Sequence, residues 1–243
     1  MAVKIKIYGI FYKLVSDNFG VFMIKHSDFG LIDLTVGQIY ESFGGGLGGE
    51  PISKLLPGTG NMGGFRYSGS VSSLNWVVLF SSGKSQDWPD RLNKDNGKIL
   101  YYGDNKISRE NIHDTPAGGN KILREVFDSL HCSRKLRVGI PPFFVFHQEA
   151  LGGASRSVKF VGLAVPGFPG EGESDDLVSV WKTSSVGRYQ NYRAHFTLID
   201  AAVISRRWIE DLASGTKSSS FAPDSWVEFV ETGRYCLRLP IVI

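Results

Sequence analysis

Cysteine is scarce in this chain: Cys132 and Cys236 are the only two, far apart and without a Cys-x-x-Cys or Cys/His spacing around either. That argues against a disulfide framework and a cysteine-based zinc site, and both residues read as ordinary buried thiols. Long apolar runs are missing too. The longest, such as Trp76 to Phe80, have the length of a strand, against roughly 20 residues for a bilayer-spanning helix. The N-terminal Met1-Ala2-Val3-Lys4-Ile5-Lys6-Ile7 alternates apolar and charged residues and lacks the continuous hydrophobic stretch of a signal peptide, so a cytoplasmic location without membrane contact is expected. Nor is there a strong charge imbalance. The formal net charge of +3 is too small to identify a nucleic-acid binder. Lys and Arg instead fall in small groups beside loops, as in Lys182 with Arg188 and Arg193, or Arg206 with Arg207.

Catalytic and nucleotide-binding signatures are also lacking. The glycine-rich segments at Gly44 to Gly49 and Gly58 to Gly64 are followed by irregular or β-like sequence. A Walker loop requires Gly-Lys-Ser/Thr opening a helix, and a dinucleotide fingerprint requires a strand before and a helix after. Glu171, Glu173, Asp175 and Asp176 sit in a Gly/Ser-rich stretch without a following Glu-x-Lys strand, so they read as a solvated loop and not as the metal cluster of a nuclease. No Gly-x-Ser-x-Gly elbow occurs, and His113, His131 and His147 do not build a His-Asn-His metal finger. The expectation is no catalytic residue, no metal and no cofactor in this chain.

What is present is enough apolar sequence, 42% of 243 residues with 12% aromatic, to bury a sizeable core. No internal repeat or low-complexity linker divides it, so one domain over residues 1–243 is expected. Short β-like runs dominate: Val3 to Ile10, Trp76 to Phe80, Lys98 to Tyr102, Phe143 to Phe146, Val158 to Val165 and Tyr192 to Ile199. Such spacing suggests a curved sheet or barrel. In the last run Tyr192, Ala194, Phe196 and Leu198 share one face, and Arg193, His195 and Thr197 the other, the pattern of a half-buried strand. Two helices are expected. One follows Thr115-Pro116-Ala117-Gly118-Gly119, with Ile122, Leu123, Val126, Phe127 and Leu130 at helical spacing. The other spans Ala201 to Leu212, with Val203, Ile204, Trp208 and Leu212 inward and Arg206, Arg207, Glu210 and Asp211 near water. The glycine-rich stretches, with Pro166 to Gly172 as a third, are long enough to be functional loops.

The segment richest in usable chemistry is Lys98-Ile99-Leu100-Tyr101-Tyr102-Gly103-Asp104-Asn105-Lys106, an aromatic strand ending in a turn with a carboxylate, an amide and a cation. That set suits an extruded base. An aromatic ring covers the π face of a cytosine, and a carboxylate such as Asp104 accepts from its exocyclic amine. Tyr101 and Tyr102 point to opposite faces, so one stacks and the other enters the core. The same residues also make a plain hairpin with Gly103-Asp104 as the turn.

Trp88-Pro89-Asp90, then Gly97 to Asn105, then Gly119-Asn120-Lys121 opening a helix, with Phe160 to Ala164 and Arg188 to Tyr192 following in order, resemble the N-terminal domain of AspBHI-like modification-dependent restriction enzymes, to which the MspJI group is related. The resemblance implies an α+β chain of the SRA-like (SET and RING-associated), PUA-like fold: a crescent-shaped β-barrel flanked by helices that flips 5-methylcytosine or 5-hydroxymethylcytosine out of duplex DNA. By that analogy Asp104 reads the cytosine edge, Tyr101 or Tyr102 lines the pocket, and Asn105 or the backbone near Gly103 completes the hydrogen bonds. Loops at Met62 to Arg66 and Trp181 to Tyr192 contact DNA through Arg66, Trp181, Lys182, Arg188, Tyr189 and Gln190. Relatives carry a C-terminal metal-dependent nuclease, whereas this sequence ends at Leu239-Pro240-Ile241-Val242-Ile243; the implied partners are modified double-stranded DNA and a nuclease domain or separate nuclease chain. Two other readings are a PUA-like reader of a different modification, such as phosphorothioate or a modified RNA base, and a β-barrel that binds a small molecule or protein.

Overall fold

The computed structural model describes residues 2–7, 10–15, 22–24, 26–44, 49–108, 111–150, 154–184, 187–216 and 218–237. Most of Gly44 to Gly49, part of the loop between Trp181 and Tyr192, and the C-terminal Leu239 to Ile243 lie outside them.

Within these residues the strands are β1 (Ala2–Ile7), β2 (Ile10–Val15), β3 (Phe22–Ile24), β4 (Leu34–Thr35), β5 (Ile39–Tyr40), β6 (Phe65–Ser70), β7 (Ser73–Ser81), β8 (Arg91–Leu92), β9 (Lys98–Tyr102), β10 (Phe143–Gln148), β11 (Val158–Pro166), β12 (Leu177–Ser184), β13 (Gly187–Leu198) and β14 (Val203–Ile204). The helices are α1 (Ile52–Leu55), α2 (Gly119–Cys132), α3 (Arg134–Arg137), α4 (Glu173–Asp176), α5 (Arg206–Ala213) and α6 (Asp224–Thr232). Twelve strands hydrogen-bond into one sheet in the order β1-β2-β3-β5-β11-β10-β7-β6, while β4 pairs only with β14. The sheet branches where Ala164 to Pro166 of β11 pair with Phe196 to Leu198 of β13. From there β13 carries β12 on one side and β9 with β8 on the other. The described pairings leave the sheet open, a crescent and not a closed barrel.

Residue type explains most of these elements. In β9 the burial alternates, with Ile99 and Tyr101 buried and Lys98, Leu100 and Tyr102 partly exposed. Its antiparallel partners place Lys98 opposite Thr197 and Tyr102 opposite Arg193, so these side chains share the non-core face. α2 buries Ile122, Leu123, Val126 and Phe127 as its spacing requires. The core gathers Trp76, Phe143, Phe144, Phe146, Phe160 and Phe196, and α5 and α6 close one side of it through Trp208 and Trp226, whose rings lie 6.1 Å apart.

Five expectations are corrected. Residues 203 and 204 are strand β14, paired to Leu34–Thr35, so the second helix starts only at Arg206, capped by the Ser205 hydroxyl, and Val203 is exposed. Arg206 is buried, and its guanidinium donates twice to the Leu55 carbonyl, at 2.9 and 2.6 Å. Asp176, expected in a solvated loop, is buried at the end of α4, and the polar face of β13 is half covered, because His195 and Thr197 are buried under the segment from Gly167 to Asp176. Cys132 is exposed and Cys236 half-buried; both are free thiols. No described helix is long and apolar enough to cross a membrane.

Candidate nucleic-acid interface

The principal cavity, about 790 Å³, opens where the ends of β7 and β9 meet the loops before β6 and β8. Its wall includes Tyr101, Tyr102, Gly103 and Asp104, together with Trp88, Asp90, Met62 and Arg66. Lys84, Lys106 and Arg156 stand in the same lining, none of them in an ion pair among the described residues. The volume lies within the range of small-ligand sites and accommodates a nucleobase.

The turn after β9 is locked in place. The Gly103 N–H donates to the Tyr192 carbonyl at 2.9 Å, and its own carbonyl accepts from the Asn191 amide at 2.9 Å. A side chain at Gly103 would put its Cβ 1.8 Å from Asn120 Oδ1 and 2.6 Å from Asn191 Oδ1, so this close approach admits only glycine. Asn105, expected to help read a base, is instead buried, with its amide donating to the Gln190 carbonyl at 2.7 Å and its backbone N–H to Asn191 Oδ1 at 3.3 Å. Its side chain ties the turn to β13 and does not face the cavity.

Asp104 has a double assignment. Its Oδ2 accepts the Gly119 N–H at 3.0 Å and its Oδ1 the Asn120 N–H at 2.9 Å, while its own N–H donates to Asn120 Oδ1 at 3.1 Å. The residue preceding α2, Gly118, has no side chain to cap the helix, and Asp104 supplies the missing acceptor from a distant turn. A carboxylate engaged twice has less capacity left for a ligand.

Asp90 is the second carboxylate in the wall. One oxygen, Oδ1, accepts the Tyr102 N–H at 3.1 Å. Burial pushes the acid up to about 6, outweighing the Tyr102 and Ser81 hydrogen bonds and the attraction of Lys106. Beside it Trp88 packs at 5.0 Å from the Tyr102 ring, and its Nε1–H donates to the Tyr189 hydroxyl at 3.3 Å. The sequence reading gave neither Trp88 nor Asp90 a role, although both belong to the Trp-Pro-Asp segment that carried the resemblance. The tyrosine alternation holds: Tyr101 is in the core, where burial raises its phenol well above the usual range, and Tyr102 is half-exposed at the cavity mouth.

The expected contact loops separate into two groups. Arg66 is buried, paired with Glu50 at 2.7 Å and donating to the Gly63 carbonyl at 2.7 Å, so it braces the glycine loop and cannot reach outward. Lys182 pairs with Asp87 at 2.6 Å and lies 5.1 Å over the Trp88 ring, while Tyr189 is buried, so both support Trp88. Gln190 uses its carbonyl to hold Asn105. Trp181 and Arg188 remain outward: the indole is 55% exposed, with the guanidinium stacked 4.4 Å above it. They lie on the β12–β13 hairpin, outside the cavity lining.

An open crescent sheet flanked by helices, with a polar and aromatic pocket at its rim, defines the SRA-like class of recognition domain. A family model described as restriction endonuclease AspBHI N-terminal matches residues 34–239, and the chain belongs to that family. It is 37% identical to the DNA recognition domain of the cytosine modification-dependent restriction endonuclease LpnPI (TM-score 0.82, 90% of this chain and 96% of that one). It is also 37% identical to the DNA modification-dependent restriction endonuclease AspBHI (TM-score 0.81, 91% and 100%). The MspJI restriction endonuclease in complex with a 27-mer oligonucleotide shares the fold at 19% identity (TM-score 0.63, 85% and 54%). Comparison with curated protein sequences gives no significant match.

Proposed function

We propose that this chain recognises 5-methylcytosine or 5-hydroxymethylcytosine in double-stranded DNA by taking the base out of the stack into the 790 Å³ cavity. It acts as the specificity domain of a modification-dependent restriction endonuclease whose nuclease lies elsewhere in the full-length protein or on a separate chain. The observation that carries this reading is the Asp90 carboxylate, held by the Tyr102 N–H and the Ser81 side chain in a wall shared with Trp88 and Tyr102, with unpaired cations in the same lining.

Each part has a matching task. Asp90 accepts from the exocyclic amine, a donor that thymine and uracil lack. Asp104, already capping α2, positions the turn and supports the edge of the pocket. An aromatic wall returns ~1–3 kcal/mol per stacked base, against an unstacking cost of a few kcal/mol, and Lys84, Lys106 and Arg156 attract phosphates. A buried methyl group contributes only about 0.8 kcal/mol, so selectivity for the modification rests on pocket shape as well as on the methyl itself.

The test is binding of the chain, at fixed salt, to duplexes differing only in one cytosine, 5-methylcytosine or 5-hydroxymethylcytosine, with Asp90→Asn and Asp104→Ala alongside. Preference for a modified duplex that Asp90→Asn abolishes is the expected result. Equal, weak binding to all three duplexes, unchanged by either substitution, would refute the reading and favour a barrel that binds something else; preference for a phosphorothioate duplex would favour the other modification reader.

A further inference from the structure

Far from the cavity, four titratable side chains from separate segments converge. Glu171 comes from the loop after β11, Asp176 from α4, His195 from β13 and His131 from the end of α2. Glu171 Oε2 meets His195 Nδ1 at 2.6 Å, and Asp176 Oδ2 meets His131 Nε2 at 3.2 Å. One donor atom each from Glu171, Asp176 and His195 falls within a set whose members are all within 4.8 Å of one another. Lys98 pairs with the other oxygen of Glu171, Oε1.

We propose that Glu171, Asp176 and His195 bind one divalent transition-metal ion of the zinc class, with His131 an outer contact of Asp176. Imidazole with carboxylate is a donor set suited to zinc, cobalt or nickel, and less suited to magnesium or calcium, which favour all-oxygen shells. Tetrahedral zinc holds such donors at about 2.0–2.2 Å, which sets neighbouring donors roughly 3.3–3.5 Å apart. The Glu171–His195 pair is closer because it shares a hydrogen, and the ion would replace that proton, which leaves with the solvent.

The surroundings are those of a built site. Asp176 is 1% exposed and His195 8%, so these donors are ordered by packing and not by chance on the surface. Outer contacts orient the ligands: Lys98 takes the Glu171 oxygen turned away from His195, the Phe168 N–H donates to Asp176 Oδ1 at 3.0 Å, and His131 Nε2 meets Asp176 Oδ2 at 3.2 Å. Bound there, the ion would fasten the Gly167 to Asp176 segment to β13. Its role is structural, and it is independent of whether the chain reads modified DNA.

The test uses the whole chain, freed of metal with a chelator and dialysed, then titrated with Zn²⁺ and with Co²⁺. One equivalent should bind, raise Tm, and with Co²⁺ give the visible absorption of a tetrahedral site, while Mg²⁺ does none of these. His131→Gln should lose Zn²⁺ affinity only within the roughly 10–100-fold typical of an outer-shell change, and Glu171→Gln, at a partly exposed position, should fold by circular dichroism yet lose more than that. His195→Gln should do the same. Absence of one-equivalent binding, or binding that survives Glu171→Gln and His195→Gln unchanged, would overturn the proposal.

Discussion

The two ends of the β9–β13 pair carry similar residues put to different uses. At one end Tyr102 faces Arg193 beside an open cavity; at the other Lys98 faces Thr197 beneath the segment from Gly167 to Asp176. The ends are four residues apart along β9, about 13 Å at a strand's rise. Each has a carboxylate of altered acidity, and the directions oppose. Asp90 at the open end is pushed up to about 6, chiefly by burial. For Glu171 at the covered end, burial also works against the charge, but hydrogen bonds from Lys98 and His195 outweigh it and hold the acid below the usual range. A paired carboxylate serves the fold. One buried with few partners destabilises it and keeps its capacity for something else.

That contrast can be broken first at Gly103. Gly103→Ala should lower stability by ~3 kcal/mol, since the methyl would overlap two asparagine side chains that interlock β9, β13 and α2; thermal or denaturant unfolding measures it. Next come substitutions that separate stability from binding. Asp90→Asn should lose discrimination worth ~1–3 kcal/mol in duplex binding, and at neutral pH should leave stability unchanged or raised. The sign follows from linkage: an acid raised on folding contributes stability at low pH, and that contribution is lost as pH rises from 3.8 through about 6. Asp104→Ala should do the reverse in unfolding experiments, costing ~1 kcal/mol through the lost cap of α2.

A pH titration sharpens the same comparison. If the ionised Asp90 accepts from the base, affinity for the modified duplex should fall as pH drops through about 6, and Asp90→Asn should flatten that dependence. Glu171→Gln should leave binding alone and remove stability present above the ordinary glutamate range, stability that in the unsubstituted protein is lost only as pH falls through the lowered folded value. The smallest effect belongs to the rim: Lys106→Ala should weaken binding to all duplexes alike and reduce the slope of log affinity against log salt by about 1.

How much was legible depended on the range of the interactions. Period-2 alternation identified β9 and the split of Tyr101 from Tyr102, and 3.6-residue spacing identified α2, because both patterns are written in neighbouring residues. The start of α5 was misplaced because β14 exists only through pairing with β4, nearly 170 residues earlier in sequence. Arg66 and Arg206 look like surface cations in sequence; one is buried against Glu50 and the other against the Leu55 carbonyl, and no local pattern announces either partner.

The site divides along the same line. The sequence alone determined that an aromatic strand would end in a polar turn, and that its segments resemble the AspBHI N-terminal family. Only the tertiary structure decided how each carboxylate is held, since Asp104 is claimed by the amides at the start of α2 while Asp90 is held by the Tyr102 N–H and the Ser81 side chain and keeps its place in the cavity wall. A hydrogen bond across 15 residues depends on where two elements come to rest, and that is set by packing of the whole chain and not by the residues on either side.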